Sequence, residues 1–135
     1  MKSGEQWTPF VVRAKMPVPT ESEEQQALMQ WAGMNSGRLP GVELLFHIPN
    51  GGSRGRAEAG RFKAEGVKSG VPDLFLPVAR GQYHGLFIEM KRRRGGRLSV
   101  VQKLWINSLM AQGYQAVVCY GWEHAAEQIE LYMKG

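Results

Sequence analysis

Three charged residues stand at the ends of two apolar segments that the sequence predicts as strands. Asp73 follows a Val-Pro pair at the start of the first segment, and Glu89 and Lys91 end the second. Successive side chains of a strand point to opposite faces, so Glu89 and Lys91 share one face and Met90 takes the other. The short connection between the segments favours antiparallel pairing, which would place Asp73 beside Glu89.

Two neighbouring carboxylates repel each other, and burying them unpaired is costly. A divalent cation removes both problems, and Mg²⁺ in particular takes one or two carboxylates together with waters and phosphate oxygens. A lysine beside the cation would hold the attacking water or neutralise charge on a phosphate. These residue types are equally typical of a structural ion pair on a sheet surface, so two interpretations stand.

Composition indicates a globular chain with a basic middle. The 135 residues suit one domain, with 43% hydrophobic and 21% charged residues. Residues 36–103 hold thirteen Lys or Arg against five Asp or Glu. This excess favours a polyanionic partner such as nucleic acid, and a solvated surface is the alternative. A single cysteine, no signal-peptide pattern and no apolar run of about 20 residues predict a cytoplasmic protein without a membrane partner.

The N-terminal part of the sequence predicts an irregular arm over residues 1–18, followed by a single domain over 19–135. Thr20 and Glu23 form a capping box that begins a helix. On that helix Glu21 and Glu24 share the face of Leu28, whereas Glu23 points the opposite way. Either of the first two carboxylates therefore faces the rest of the protein.

The remaining elements predict an α/β fold with a mixed sheet flanked by helices. Pro72 lacks a ladder donor, so the strand it begins should lie at an edge, at a bulge or at a splayed end. Ser99 and Gln102 form a second capping box, and we expect Val101, Leu104, Trp105 and Leu109 to form the apolar face of that helix. The predicted order is a helix, a strand (42–49), a short helix (56–66), two strands (71–78 and 84–91), a helix (99–113), a strand (114–121) and a final helix.

Several segments together resemble the stand-alone VRR-NUC nucleases of bacteriophages, within the PD-(D/E)xK superfamily. They are ESEEQ, HIPNGGSR, GVKSGVPDLFLP and the stretch from GLFIEMKRRRGG to VVCYGW. The likeness runs from about residue 20 to 132 and is most specific between 66 and 121. It implies a restriction-endonuclease-like αβββαβ core and DNA cleavage that depends on Mg²⁺ or Mn²⁺. It further implies a homodimer acting on branched DNA such as four-way (Holliday) junctions, in the cytoplasm of a bacterial host, without a nucleotide cofactor.

The resemblance assigns roles to individual residues. Asp73 and Glu89 match the metal carboxylates and Lys91 the catalytic lysine, and the main-chain carbonyl of Met90 would complete the metal shell. The first-helix glutamate of the family matches Glu21.

Two points of this match stay open. Glu24 remains an alternative to Glu21, because both lie on the inward helical face. Gln102 matches a family glutamine, and its alternative role is the capping box; the two roles are compatible.

Basic and amide residues around these positions are candidate phosphate contacts that would bind DNA without reading its sequence. The alternatives are a solvated turn or a localisation signal for the arginine run, and ordinary turn chemistry for the Asn-Gly loop. The candidates are Asn50, Arg54, Arg56, Lys68, Arg92, Arg93, Arg94 and Arg97.

The competing functions are a non-catalytic DNA-binding module with the same fold, and a nuclease for flap or linear DNA. His47 is interpreted as a core or site-edge residue, and Trp105 as core rather than a base-stacking platform. The sequence does not define the dimer interface, and apolar residues of the terminal helix such as Leu131 and Tyr132 are one candidate for it.

Overall fold

The computed structural model describes residues 17–49 and 55–135, so the predictions for Asn50, Arg54 and most of the N-terminal arm lie outside the described residues. Within these ranges the elements follow the predicted order. No helix there has the length and apolar character needed to cross a membrane. The helices are α1 (Glu21–Met34), α2 (Arg56–Ala64), α3 (Val100–Ala111) and α4 (Trp122–Lys134), and the strands are β1 (Phe46–His47), β2 (Leu74–Leu76), β3 (Leu86–Lys91) and β4 (Gln115–Tyr120).

The four strands form one mixed sheet in the order β1-β2-β3-β4. β1 pairs antiparallel with β2, and β2 pairs antiparallel with β3, as the short connection predicted. β3 and β4 run parallel, and α3 is the crossover between them. The predicted α/β fold with a mixed sheet flanked by helices is confirmed.

The main core lies on the sheet face that carries Leu74, Ile88 and Met90. These side chains are buried together with Leu28 of α1 and Ile129 of α4. Because β3 alternates, the opposite face of the same strand carries Glu89 and Lys91. The core therefore anchors β3 on one face, and the polar face of β3 points away from the core.

The layer on that other face is formed by α3, and its packing differs from the prediction. No residue of α3 is fully buried, and Val101 and Leu104 are 46% and 59% exposed. The half-buried side instead carries Gln102, Trp105 and Leu109. The predicted apolar face was therefore wrong for two of its members, because α3 carries apolar residues on both sides and periodicity alone does not choose between them.

The segment 42–49 is the second departure from the prediction. It was expected to be one strand, but Val42–Leu44 form a 3₁₀ turn and only Phe46–His47 pair in the sheet. The Glu43 carboxylate accepts a hydrogen bond from the Gly41 N–H at 2.9 Å, and Gly41 has φ +105°. This local bond favours a turn over an extended chain.

Candidate active site

Asp73 and Glu89 lie opposite each other because of the register between β2 and β3. Leu74 pairs with Ile88, so the next position along places Asp73 across from Glu89 on the same face. The ladder ends at the Leu74–Ile88 pair, and beyond it Asp73 Oδ2 accepts a hydrogen bond from the Met90 N–H at 2.8 Å. β2 is an internal strand, and the proline before Asp73 marks its splayed end rather than a sheet edge.

The two oxygens of Glu89 have different environments. Oε2 lies 3.4 Å from Lys91 Nζ and accepts a hydrogen bond from Gln102 Nε2 at 3.2 Å. Oε1 is buried and has no hydrogen-bond partner among the described residues. Both Glu89 and Lys91 are nearly inaccessible, with 2% and 6% of their surface exposed. One oxygen is thus held in place while the other remains available to a ligand.

Burial and mutual repulsion disfavour charge on this carboxylate pair. Burial raises the pKa of Glu89 to about 8; the charge of Asp73 adds to the rise and that of Lys91 opposes it. Burial likewise raises the pKa of Asp73 above its usual range, although hydrogen bonding from Met90 opposes this. Both pKa shifts therefore disfavour the state in which the two carboxylates are charged at once. Two neighbouring buried carboxylates whose charges are disfavoured form a donor set that suits a divalent cation, which would compensate both charges.

Gln102 forms the predicted capping box, and its amide also reaches the carboxylate site. Its side-chain oxygen accepts from the Ser99 N–H at 2.9 Å, and Ser99 Oγ accepts from the Gln102 N–H at 3.1 Å. This capping box leaves the amide nitrogen pointing toward Glu89, to which it donates. The start of α3 and the orientation of Glu89 are therefore coupled through one side chain.

Glu24, one of the two candidate glutamates of α1, is bound by Arg93. Its Nε and Nη2 donate to Glu24 at 2.7 and 2.9 Å, and the Trp122 N–H donates to Glu24 at 3.0 Å. These bonds, with Arg93 first, lower the pKa of Glu24 despite its burial. Glu24 is thus a structural residue, and Glu23 caps the helix with Thr20 as predicted.

Glu21 remains the candidate carboxylate of α1. It is exposed at the first position of the helix, and the described residues show no polar contact between it and Asp73 or Glu89. No three His, Cys, Asp or Glu side chains within 17–49 and 55–135 converge well enough to hold a metal ion. A cation site here would consequently combine two carboxylates with main-chain oxygen, water or phosphate.

The predicted phosphate contacts fall into two groups. Arg93 is engaged internally, because its Nη2 also donates to Glu123 at 2.7 Å, and Arg92 donates to the carbonyls of Val18 and Pro19. The others are exposed and have no hydrogen bond or ion pair with any described residue. They are Arg56, Lys68, Arg94 and Arg97.

His47 lies at the edge of the site and is exposed, so the core interpretation was wrong. Its Nδ1 is 3.0 Å from the Asp73 carbonyl oxygen, which also accepts from the Ile48 N–H at 2.7 Å. A carbonyl oxygen only accepts, so Nδ1 carries the proton. The proximity follows from the pairing of β1 with β2, and the only sequence signal for it was a histidine in a predicted strand.

A mixed sheet flanked by helices, with two carboxylates and a lysine where β2 and β3 meet, defines a nuclease-type fold. The model of the VRR-NUC domain family matches residues 15–123. A solved structure described as a VRR_NUC domain protein is 36% identical, covers 88% of this chain and 92% of its own, and superposes with a TM-score of 0.73. No curated protein matches. The chain belongs to the VRR-NUC family, which confirms the resemblance to that family.

Proposed function

We propose that this chain is a divalent-metal-dependent DNA endonuclease that hydrolyses phosphodiesters in branched DNA. The observation that carries the proposal is the Glu89 carboxylate, with one oxygen held by Lys91 and Gln102 and the other buried without a described partner. A buried oxygen without a partner is costly, and a divalent cation beside a second carboxylate would satisfy it. The nuclease fold of the family supports DNA as the substrate.

Asp73 and Glu89 would hold Mg²⁺ or Mn²⁺ together with the main-chain carbonyl of Met90. The N–H and C=O of one strand residue point to the same side. Because the Met90 N–H is directed at Asp73, its carbonyl points to the same edge. A bound cation would lower the pKa of a coordinated water and offset charge on the scissile phosphate.

Lys91 and Gln102 are the other two side chains that would take part in the site. Lys91 lies close enough to Glu89 to hold a water or to face a developing phosphate charge. Gln102 would keep Glu89 in one orientation. Glu21 would reach the cation or its waters from the start of α1.

The phosphate backbone would lie across the exposed cations around the site. Arg56 begins α2 and Lys68 follows that helix, whereas Arg94 and Arg97 lie between β3 and α3. As backbone contacts they predict DNA affinity that falls steeply with salt and shows little sequence preference. Asn50 and Arg54 keep their predicted role as further DNA contacts.

The test is cleavage of a four-way junction, a flap and a linear duplex, each with Mg²⁺, Mn²⁺ or EDTA. Wild type is compared with Asp73→Asn and Glu89→Gln, and Glu127→Gln on the exposed side of α4 is the matched control. We expect metal-dependent cutting of the junction that both site variants lose and the control retains. Binding without cutting in any metal would favour the non-catalytic module, and preference for flap or linear DNA would overturn the selectivity for four-way junctions.

We further propose that the chain acts as a homodimer through the outer face of α3, because two symmetric cuts in a junction need two sites. Val100, Leu104 and Met110 are 71%, 59% and 47% exposed on this helix. A helix that is apolar on both sides is usually covered on both. The terminal helix is a weaker candidate, because Tyr132 is buried and donates to the Val78 carbonyl, which leaves only Leu131 exposed.

Sedimentation of Leu104→Glu and Leu131→Glu distinguishes the two helices. Both substitutions place a charge at an exposed leucine, but only the first lies on α3. We expect wild type and Leu131→Glu to sediment as dimers and Leu104→Glu as a monomer. A wild-type monomer at micromolar concentration would remove the dimer from the proposal, and dissociation by Leu131→Glu alone would move the interface to α4.

A further inference from the structure

A groove runs between α2, the loop that follows it and α3, beside the carboxylate site. It consists of two adjoining hollows of about 600 and 360 Å³, the size of ordinary ligand sites. The hollows share Val67, Lys68 and Trp105 and therefore form one continuous surface, which we call the Trp105 groove. Its other lining residues are Ala59, Lys63 and Ser69 in the larger hollow and Ile48, Pro49, Glu65, Gly66 and Val71 in the smaller.

Trp105 is not a core residue, contrary to the prediction. It is half-buried on a helix with no fully buried side chain, and its ring contacts no other aromatic ring or cation in the described part of the chain. One edge of the indole is fixed by the close approach of Gly70. A Cβ at Gly70 would stand 3.2 Å from Trp105 Cδ1 and 2.3 Å from Val101 Cγ1, and Gly70 has φ +86°. The indole is thus held at one edge while it lines both hollows.

The charge of the groove complements a polyanion. Lys63 and Lys68 are exposed, and neither pairs with a carboxylate among the described residues; Glu65 is the single acidic lining residue. Lysines around an aromatic ring are the combination that binds single-stranded nucleic acid, because the ring stacks on a base and the lysines contact the phosphates. A duplex offers no free base face to the indole, since its bases stack on each other.

The groove begins next to the carboxylates. Ile48 lines the smaller hollow, and its N–H donates to the Asp73 carbonyl at 2.7 Å. Val71, on the same wall, is two residues before Asp73. A DNA strand that passes Asp73 would therefore run close to the groove.

We propose that the Trp105 groove binds an unpaired nucleotide of the DNA substrate, with its base stacked on Trp105 and the adjacent phosphates held by Lys63 and Lys68. This inference rests on the proposed function for the identity of the ligand as DNA. It would favour substrates in which a nucleotide is unpaired, or can be unpaired, near the scissile phosphate.

Binding is measured in EDTA, so that cleavage plays no part. The probes are a fluorescent single-stranded oligothymidylate and a blunt duplex of equal length, and the variants are Trp105→Ala, Trp105→Phe and Lys63→Ala/Lys68→Ala. Lys103→Ala, an exposed lysine on α3 outside the groove, is the matched control. Melting temperature and sedimentation are recorded for each variant.

We expect Trp105→Ala to weaken single-strand binding by about 5- to 150-fold, which is the usual value of one stacked base, and to change duplex binding much less. Trp105→Phe should retain most of the affinity for the single strand because it keeps an aromatic ring. Lys103→Ala should bind both probes like the wild type. The double lysine variant should weaken single-strand binding even if Trp105→Ala proves too unstable to measure.

Equal loss for both probes, or no loss in any groove variant, would overturn the inference. A change in sedimentation without a selective loss of single-strand binding would assign the groove to a protein interface and overturn it as well. If the wild type binds single strands through Trp105 but cuts no DNA, the groove stands and the nuclease proposal fails. If the wild type cuts junctions and Trp105→Ala binds and cuts like it, the groove fails and the nuclease proposal stands.

Discussion

Gln102 donates a hydrogen bond to the Glu89 carboxylate at 3.2 Å while its side-chain oxygen caps α3 at Ser99. The first turn of a helix is thereby connected to the carboxylate that the proposed cation would need. Gln102 therefore has two roles, orienting Glu89 and capping α3. A variant that removes the Gln102 amide, compared with one that affects the cap alone, separates them.

Gln102→Ala should lower metal affinity and the cleavage rate by about 10- to 100-fold, the usual cost of losing a group that orients a ligand. Ser99→Ala should cost about 1 kcal/mol of stability as a lost cap and leave cleavage close to wild type. Thermal unfolding and single-turnover cleavage of the two variants are the measurements. Equal cleavage losses in both would show that Gln102 acts only through the helix.

Lys91→Met should reduce turnover by about 10²- to 10⁴-fold, as expected for loss of a group that assists proton transfer or charge stabilisation. DNA affinity in EDTA should change little, because Lys91 is 6% exposed and lies against Glu89 rather than on the outer surface. Arg94→Ala is the matched comparison. It should weaken DNA affinity and change the turnover of bound DNA little. If Lys91→Met mainly weakened binding, its catalytic assignment would be wrong.

Glu89→Gln should become progressively more stable than wild type as the pH rises. The folded-state pKa of Glu89 is about 8 and its ordinary value is 4.5, so the folded protein holds a proton that the unfolded chain releases. Wild-type stability therefore falls between these pH values, since the unfolded state binds fewer protons there.

The measurement for this prediction is chemical unfolding of both proteins in EDTA from pH 4 to 9. The difference in unfolding free energy should favour the variant increasingly from about pH 4.5 to about pH 8 and then level off. The lost contact with Lys91 changes the offset between the curves but not this trend. A difference that is constant with pH would contradict the raised pKa.

Arg93→Ala should destabilise the fold by about 3 kcal/mol, the lower end of the range for breaking a buried ion pair. We choose the lower end because Arg93 is 40% exposed, whereas its partner Glu24 is 1% exposed and would lose its main cation. Arg94→Ala should leave stability unchanged and weaken DNA binding instead. Denaturant unfolding and salt-dependent binding of the two neighbours distinguish these roles, and equal stability of both variants would refute the structural assignment of Arg93.

The sequence determined those features that depend on contacts within a few residues. Both capping boxes formed as expected, because Thr20 with Glu23 and Ser99 with Gln102 bond across three positions. The alternation that puts Glu89 on the opposite face from Met90 is equally local. These patterns give the element order and indicate which residue types lie at the ends of the strands.

Contacts between distant segments were decided only by the tertiary structure. Glu21 and Glu24 were equivalent on the helical face until Arg93, 69 positions from Glu24, engaged the second. The exposed side of α3, and with it the position of Trp105, depended on which of two apolar faces met the sheet. The physical reason is that helical periodicity records how apolar a face is, whereas the register of the strands and the packing of the layers decide what that face contacts.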